Sequence, residues 1–218
     1  MKRAIKFLCY YEWSFKSLIW FVWFNFFRKN TIRKNRKCFF WADRHSLIRI
    51  HKTAKIILNG IVIFGLKISR NQTYPQFIMG KESEFEVRNG IFRFNNVNEI
   101  FMFENAKLSV GNGYINKGSS IQIRESVYIG EDSIIADEVS IFDTDHHTII
   151  SPNYKMNNSI KIGNHVWICF RSIILKGINI GDGAIIGAGS IVTGDIPSKT
   201  LVVGNPAKVI KENVEWKL

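Results

Sequence analysis

From Ile162 onward every sixth residue is a β-branched aliphatic: Ile162, Ile168, Ile174, Ile180, Ile186 and Val192. The same period runs upstream through Ile123, Ile129, Ile135 and Ile141. Strand side chains alternate faces at every residue, so the residues two before these positions should also point inward. They are Val166, Ser172, Ile178, Ala184 and Ser190, all small or aliphatic. Gly or Asp often follows the aliphatic position, as in Ile129-Gly130-Glu131-Asp132 and Ile180-Gly181-Asp182-Gly183, and these are turn residues. One short strand and one turn per six residues fit neither a helix nor an antiparallel meander. They fit a solenoid whose coils stack as parallel strands. The chain is expected to be all-β over 49–211, with 212–218 as a short tail.

The first 48 residues read differently, as a basic, aromatic, helical extension. Residues 1–60 hold 14 Lys/Arg against only Glu12 and Asp43, so the formal net charge of +12 lies entirely there. Residues 7–27, FLCYYEWSFKSLIWFVWFNFF, precede the basic run RKNTIRKNRK. The uncharged stretch 17–27 is 11 residues long, whereas a bilayer span needs about 20. A signal peptide is disfavoured because no small-residue cleavage site follows. Two readings remain. Residues 1–40 could lie on an anionic membrane with Tyr10, Tyr11, Trp13, Trp20 and Trp23 at headgroup level, which is the favoured reading. Alternatively the aromatic helix packs on the body or on a neighbouring subunit. Nucleic acid is not expected, since no recognition motif accompanies the charge. Cys9, Cys38 and Cys169 show no CxxC spacing, which argues against a disulfide framework and structural zinc and for a cytoplasmic setting.

Ile141 and Ile162 are 21 residues apart, not a multiple of six, so the register breaks between them. The interrupting loop 142–160 begins FDTDHHTIISPNYKMNNS and carries two adjacent histidines. A neutral imidazole near pH 7 suits general-base chemistry. Asp143 or Asp145 could fix its tautomer. No metal is expected.

The pattern aliphatic–Gly–x–x–small–x over 123–196, together with IGDGAIIGAGSIVTGDIPSKTLVVGNPAKVIK at 180–211, resembles the hexapeptide-repeat acyltransferase superfamily. It is similar to that superfamily's sugar and capsule O-acetyltransferases, the group of the galactoside and maltose acetyltransferases. The resemblance implies a left-handed parallel β-helix with three hexapeptides per coil, a homotrimer, acetyl-CoA as co-substrate and a carbohydrate acceptor. Asp143-x-Asp145-x-His147 resembles the family segment that holds the catalytic base. That alignment favours His147; alignment to the shorter galactoside-type segment gives His146. By the same resemblance, Ala188 meets the pantetheine arm, Thr193 nears the adenosine end, and Lys208 and Lys211 pair with phosphates. Gly187 and Gly189 would allow close backbone approach. Trp167 and Phe170 would flank the donor channel, with the Phe170 N–H at the oxyanion. Cys169 and Phe170 stand where the family often has Gly and a small residue, and Gly194 replaces a common lysine. The implied activity is transfer to a hydroxyl of a surface glycan or its lipid-linked precursor. N-acetylation of an amino-sugar nucleotide and a non-catalytic trimeric scaffold at a membrane surface are the alternatives. With eighteen residues per coil, outward positions should stack as Trp167 on Ile185, Ile173 on Ile191 and Lys161 on Asn179. Two faces would then be apolar and one polar. Monomers seldom leave two apolar stripes in water.

Overall fold

A computed structural model describes residues 14–43, 45–65 and 75–217. The body is a three-faced solenoid of parallel sheets with seven, nine and seven strands. Its strands are two to five residues long, and the inward positions are the alternating aliphatics. The stacking expected from the repeat is what forms: Trp167 pairs with Ile185, Ile173 with Ile191 and Lys161 with Asn179. Ile162, Ile168, Ile174, Ile186 and Val192 are fully buried, as are Val166, Ser172, Ala184 and Ser190. An inward serine needs a polar partner, and Ser172 Oγ donates to the carbonyls of Cys169 and Gly187 at 2.8 and 3.1 Å.

Coil length decides what fills the interior. Late coils repeat every eighteen residues and are packed with Ile, Val and Ala. Early coils are longer, with Thr31 pairing with Ile56 and Ile61 with Ile91. Their wider interior is filled by Phe40, Phe64, Phe77, Phe85, Phe92 and Phe94, with neighbouring ring centroids 5.0–6.3 Å apart. Each fully buried Phe contributes roughly 2–3 kcal/mol, and each ring pair about 0.5–1.5 kcal/mol more.

The solenoid starts earlier than the repeat suggests. Strands Thr31–Arg33 and Phe39–Ala42 already pair with the next coil, so the boundary expected at 48/49 falls inside the first coil. Before them, helix α1 (Phe15–Val22), capped by Ser14, and a π-turn at Trp23–Phe27 close the open end of the prism. Phe24 is buried between Trp20, stacked at 5.3 Å, and Phe40 at 5.1 Å. Asn25 exchanges hydrogen bonds with the backbone of Phe40 at 2.8 and 2.9 Å. Residues 1–13, with Cys9, Tyr10, Tyr11 and Trp13, lie outside the described part.

Candidate active site

The chain visits the three sheets in order, so the prism has three corners. The insertion after Phe142 leaves at the corner between the third and first sheets and rejoins at Ile160. It is fastened at both ends and in the middle. Asp143 is buried, and its carboxylate accepts the amides of Arg124 and Glu125 at 2.7 and 2.8 Å. Burial pushes this acid upward, Glu125 adds to the push, and the backbone donors oppose it. Asp145 receives Tyr154 Oη and Lys176 Nζ, both at 2.5 Å. Its burial works upward, yet those two hydrogen bonds and the charges of Lys176 and His146 hold it below the usual carboxylate range. On Lys176 burial acts downward, but Asp145 and Tyr154 leave it net above the usual lysine range.

The histidines stand on this fastened loop. The His147 amide donates to Asp145 O at 2.7 Å, and Tyr154 Oη donates to His147 O at 3.0 Å. The His147 ring is exposed, with no hydrogen bond among the described residues. His146 takes a positive φ of 60° and lies beside the Phe103 ring, 6.0 Å between centroids. Neither Asp143 nor Asp145 bonds to an imidazole nitrogen. Both carboxylates instead hold the loop that carries the histidines.

The residues expected along the donor channel gather at the next corner, between the second and third sheets. Trp167 points outward and is 39% exposed, and Phe170, in the following turn, is 40% exposed. One coil later come Gly187, Ala188 and Gly189, with Gly189 N donating to Phe170 O at 2.9 Å. The amides of Phe170 and Ala188, in turns one coil apart, have no partner among the described residues. A Cβ at Gly187 would lie 2.7 Å from Val203 Cγ2, so a side chain there would have to displace that valine. Gly189 has open space around it but a φ of +70°, which favours glycine. Lys208 and Lys211 are exposed on the strand Ala207–Lys211, which pairs antiparallel with Leu201–Gly204 at the end of the second sheet. Thr193 is exposed but follows the third sheet, at the corner of the histidine loop. One chain therefore does not bring the histidines together with Trp167, Phe170 and Ala188.

Sequence reasoning missed Tyr154, Lys176, Arg124 and Phe103. Lys176 was findable: the pairing of Ser140 with Ile173 across the insertion places Lys176 one coil above Asp143. Trp216 was also missed. It stacks on His165 at 4.0 Å and approaches Trp167 at 5.9 Å, folding the tail against the second sheet. Among the described residues no group of three or more His, Cys, Asp or Glu is placed to hold a metal.

Residues 159–194 match the family described as bacterial transferase hexapeptide (six repeats). Over those residues the chain is similar to the hexapeptide-repeat transferases of bacteria. It is 36% identical over 132 residues to a putative lipopolysaccharide biosynthesis O-acetyl transferase, WbbJ, of Escherichia coli, covering 55% of this chain and 64% of that protein. It is 38% identical over 117 residues to the galactoside O-acetyltransferase of the same organism, covering 52% and 58%. The matched part thus spans about three-fifths of the length of these two relatives. Among solved structures, the polySia specific acetyltransferase NeuO superposes with a TM-score of 0.54 at 24% identity, over 87% of this chain and 83% of that one. The shared fold is the left-handed parallel β-helix.

Proposed function

We propose that this hexapeptide-repeat protein is an acetyl-CoA-dependent O-acetyltransferase. It moves the acetyl group to a sugar hydroxyl of a surface glycan or its lipid-linked precursor, with His147 as general base. The observation that carries this reading is the histidine pair on a loop that breaks the repeat and is pinned by Asp145, Tyr154 and Lys176. The O-acetyltransferase relatives support it. The imidazole takes the acceptor hydroxyl proton as the oxygen attacks the thioester carbonyl. The free amide of Phe170 faces the developing oxyanion. The C–S bond then breaks, and the thiolate takes the proton back from the imidazolium. The products are the sugar ester and CoA thiol, with no acyl-enzyme. Thioester consumption with glycan acceptors tests this. His147→Ala should lower kcat by about 10²–10⁴-fold while CoA binding survives. If His147→Ala turns over normally and His146→Ala does not, the base is His146.

Donor and base lie at different corners of one prism, so the site is completed by a second copy in a homotrimer. The exposed face of α1 and its π-turn meets an anionic membrane. Phe15, Phe26 and Phe27 are 81%, 67% and 66% exposed there. Lys16, Lys29, Lys34, Arg36 and Lys37 are exposed beside them. Among the described residues no helix is long and apolar enough to cross a membrane.

A further inference from the structure

Arg124 follows the strand Ser120–Ile123, at the same corner from which the histidine loop leaves. Its guanidinium carbon lies 3.8 Å over the Phe103 ring, which in turn rests 4.5 Å from the Phe101 ring. The other side of this small cluster is His146, whose ring is 6.0 Å from Phe103. The backbone under Arg124 is held by the buried Asp143 carboxylate. Yet the Arg124 side chain makes no hydrogen bond and no ion pair among the described residues, and its Nε is shut from solvent without a partner. Adjacent Glu125 is exposed and accepts from Ser159 Oγ at 2.9 Å.

Four other described arginines are committed, and Arg49 and Arg93, which are not, lie on strands away from the histidine corner. Arg88 is bonded to Ser109 and the Ile129 carbonyl and paired with Glu131. Arg171 is paired with Glu138. Arg28 and Arg33 tie the cap to the first coil through backbone carbonyls. A half-buried guanidinium held over an aromatic ring loses little freedom when it binds, and its planar donors match carboxylate and phosphate oxygens. Leaving it unpaired beside the histidines has a use if the partner arrives with the acceptor.

We propose that Arg124 and Phe103 form an acceptor subsite that selects a saccharide bearing an anionic group, carboxylate or phosphate, and presents one of its hydroxyls to the histidine pair. This rests on the acyltransferase reading above. The test is calorimetric binding to the full-length protein of three oligosaccharides of matched length: uronate-bearing, phosphate-bearing, and neutral by carboxyl reduction. The wild-type chain should bind a charged probe roughly ten- to a hundred-fold more tightly than the neutral one, the range of a charge-assisted contact. The two charged probes separate carboxylate from phosphate as the source. Arg124→Gln should erase the preference, and Arg124→Lys should keep part of it. In turnover the loss should fall on KM for the charged acceptor and spare KM for acetyl-CoA. Equal binding of neutral and charged probes by the wild type, or a preference that survives Arg124→Gln, overturns the subsite. Transfer to neutral sugars without charge preference would do so while leaving the acyltransferase reading intact. Charge-selective binding with no thioester consumption on any acceptor would uphold the subsite and remove that reading instead.

Discussion

Asp143 and Asp145 sit two residues apart and titrate in opposite directions. Asp145 lies below the ordinary carboxylate range because Lys176 and Tyr154 outweigh its burial, so its ionised form favours the folded loop. That contribution is present above the ordinary carboxylate pKa, about 3.9, and is lost as pH falls through the lower folded value. Asp143 is raised, mainly by burial, so its contribution is fully present below the ordinary range and is lost as pH rises through the raised value. Asp145→Asn should therefore lower Tm at neutral pH, with the gap to wild type closing on strong acidification. The loss should stay within about 1 kcal/mol because the pair is partly exposed and screened. A gap that widens in acid would show that the Lys176 contact does not stabilise the loop. The inward place of Asp143 was legible, for the alternation that buries Ile141 buries the residue two later. Its partners were not, because stacking coils brings together residues about twenty positions apart in sequence.

At the scale of elements, the late coils could be read directly and the first coil could not. Between Ile162 and Val192 one aliphatic every six residues leaves little freedom, and the observed register follows it. The first coil is disguised because its strand Thr31–Arg33 lies inside a run of lysines and arginines. Phe39–Ala42 continues an aromatic segment and looks like part of the cap. Arg33 turns out to be structural, donating from Nε to the Cys38 carbonyl and from Nη1 to that of Asn25, at 2.6 and 2.9 Å. The two readings of the N-terminal helix also prove not to exclude one another: Trp20 and Phe24 pack on the prism while Phe15, Trp23 and Phe27 remain outward. Truncation near Asp43 would remove two strands and uncover Ile56 and Phe64, so it cannot isolate the membrane term. Point changes in the full chain can. Wild type should co-sediment with phosphatidylserine-containing vesicles at low salt, each nearby Lys or Arg contributing about 1 kcal/mol. Trp23→Glu with Phe27→Glu should abolish that while leaving far-UV circular dichroism unchanged. Wild-type protein that stays in the supernatant would refute the membrane reading.

For the whole molecule, the decisive fact is that one prism carries the histidine loop and the Trp167–Ala188 corner on different edges. Lys161 and Asn179 make one face polar, whereas Trp167, Ile173, Ile185 and Ile191 leave outward apolar stripes on the other two. Packing prisms about a threefold axis would cover those stripes and bring the loop of one copy toward the proposed donor corner of another. Ile173→Asp or Ile185→Asp should then give chains that sediment as monomers or aggregate and transfer no acetyl group. Loss of assembly and loss of turnover would also follow from plain misfolding, so a second arrangement separates the cases. Chains carrying His147→Ala and chains carrying a bulky Ala188→Trp each lack one half of a site. Unfolding and refolding the two together should form mixed assemblies in which an intact loop faces an intact corner, and transfer should return although neither parent has it. If both halves were supplied by the same chain, every chain in the mixture would be defective and no mixing ratio could restore activity.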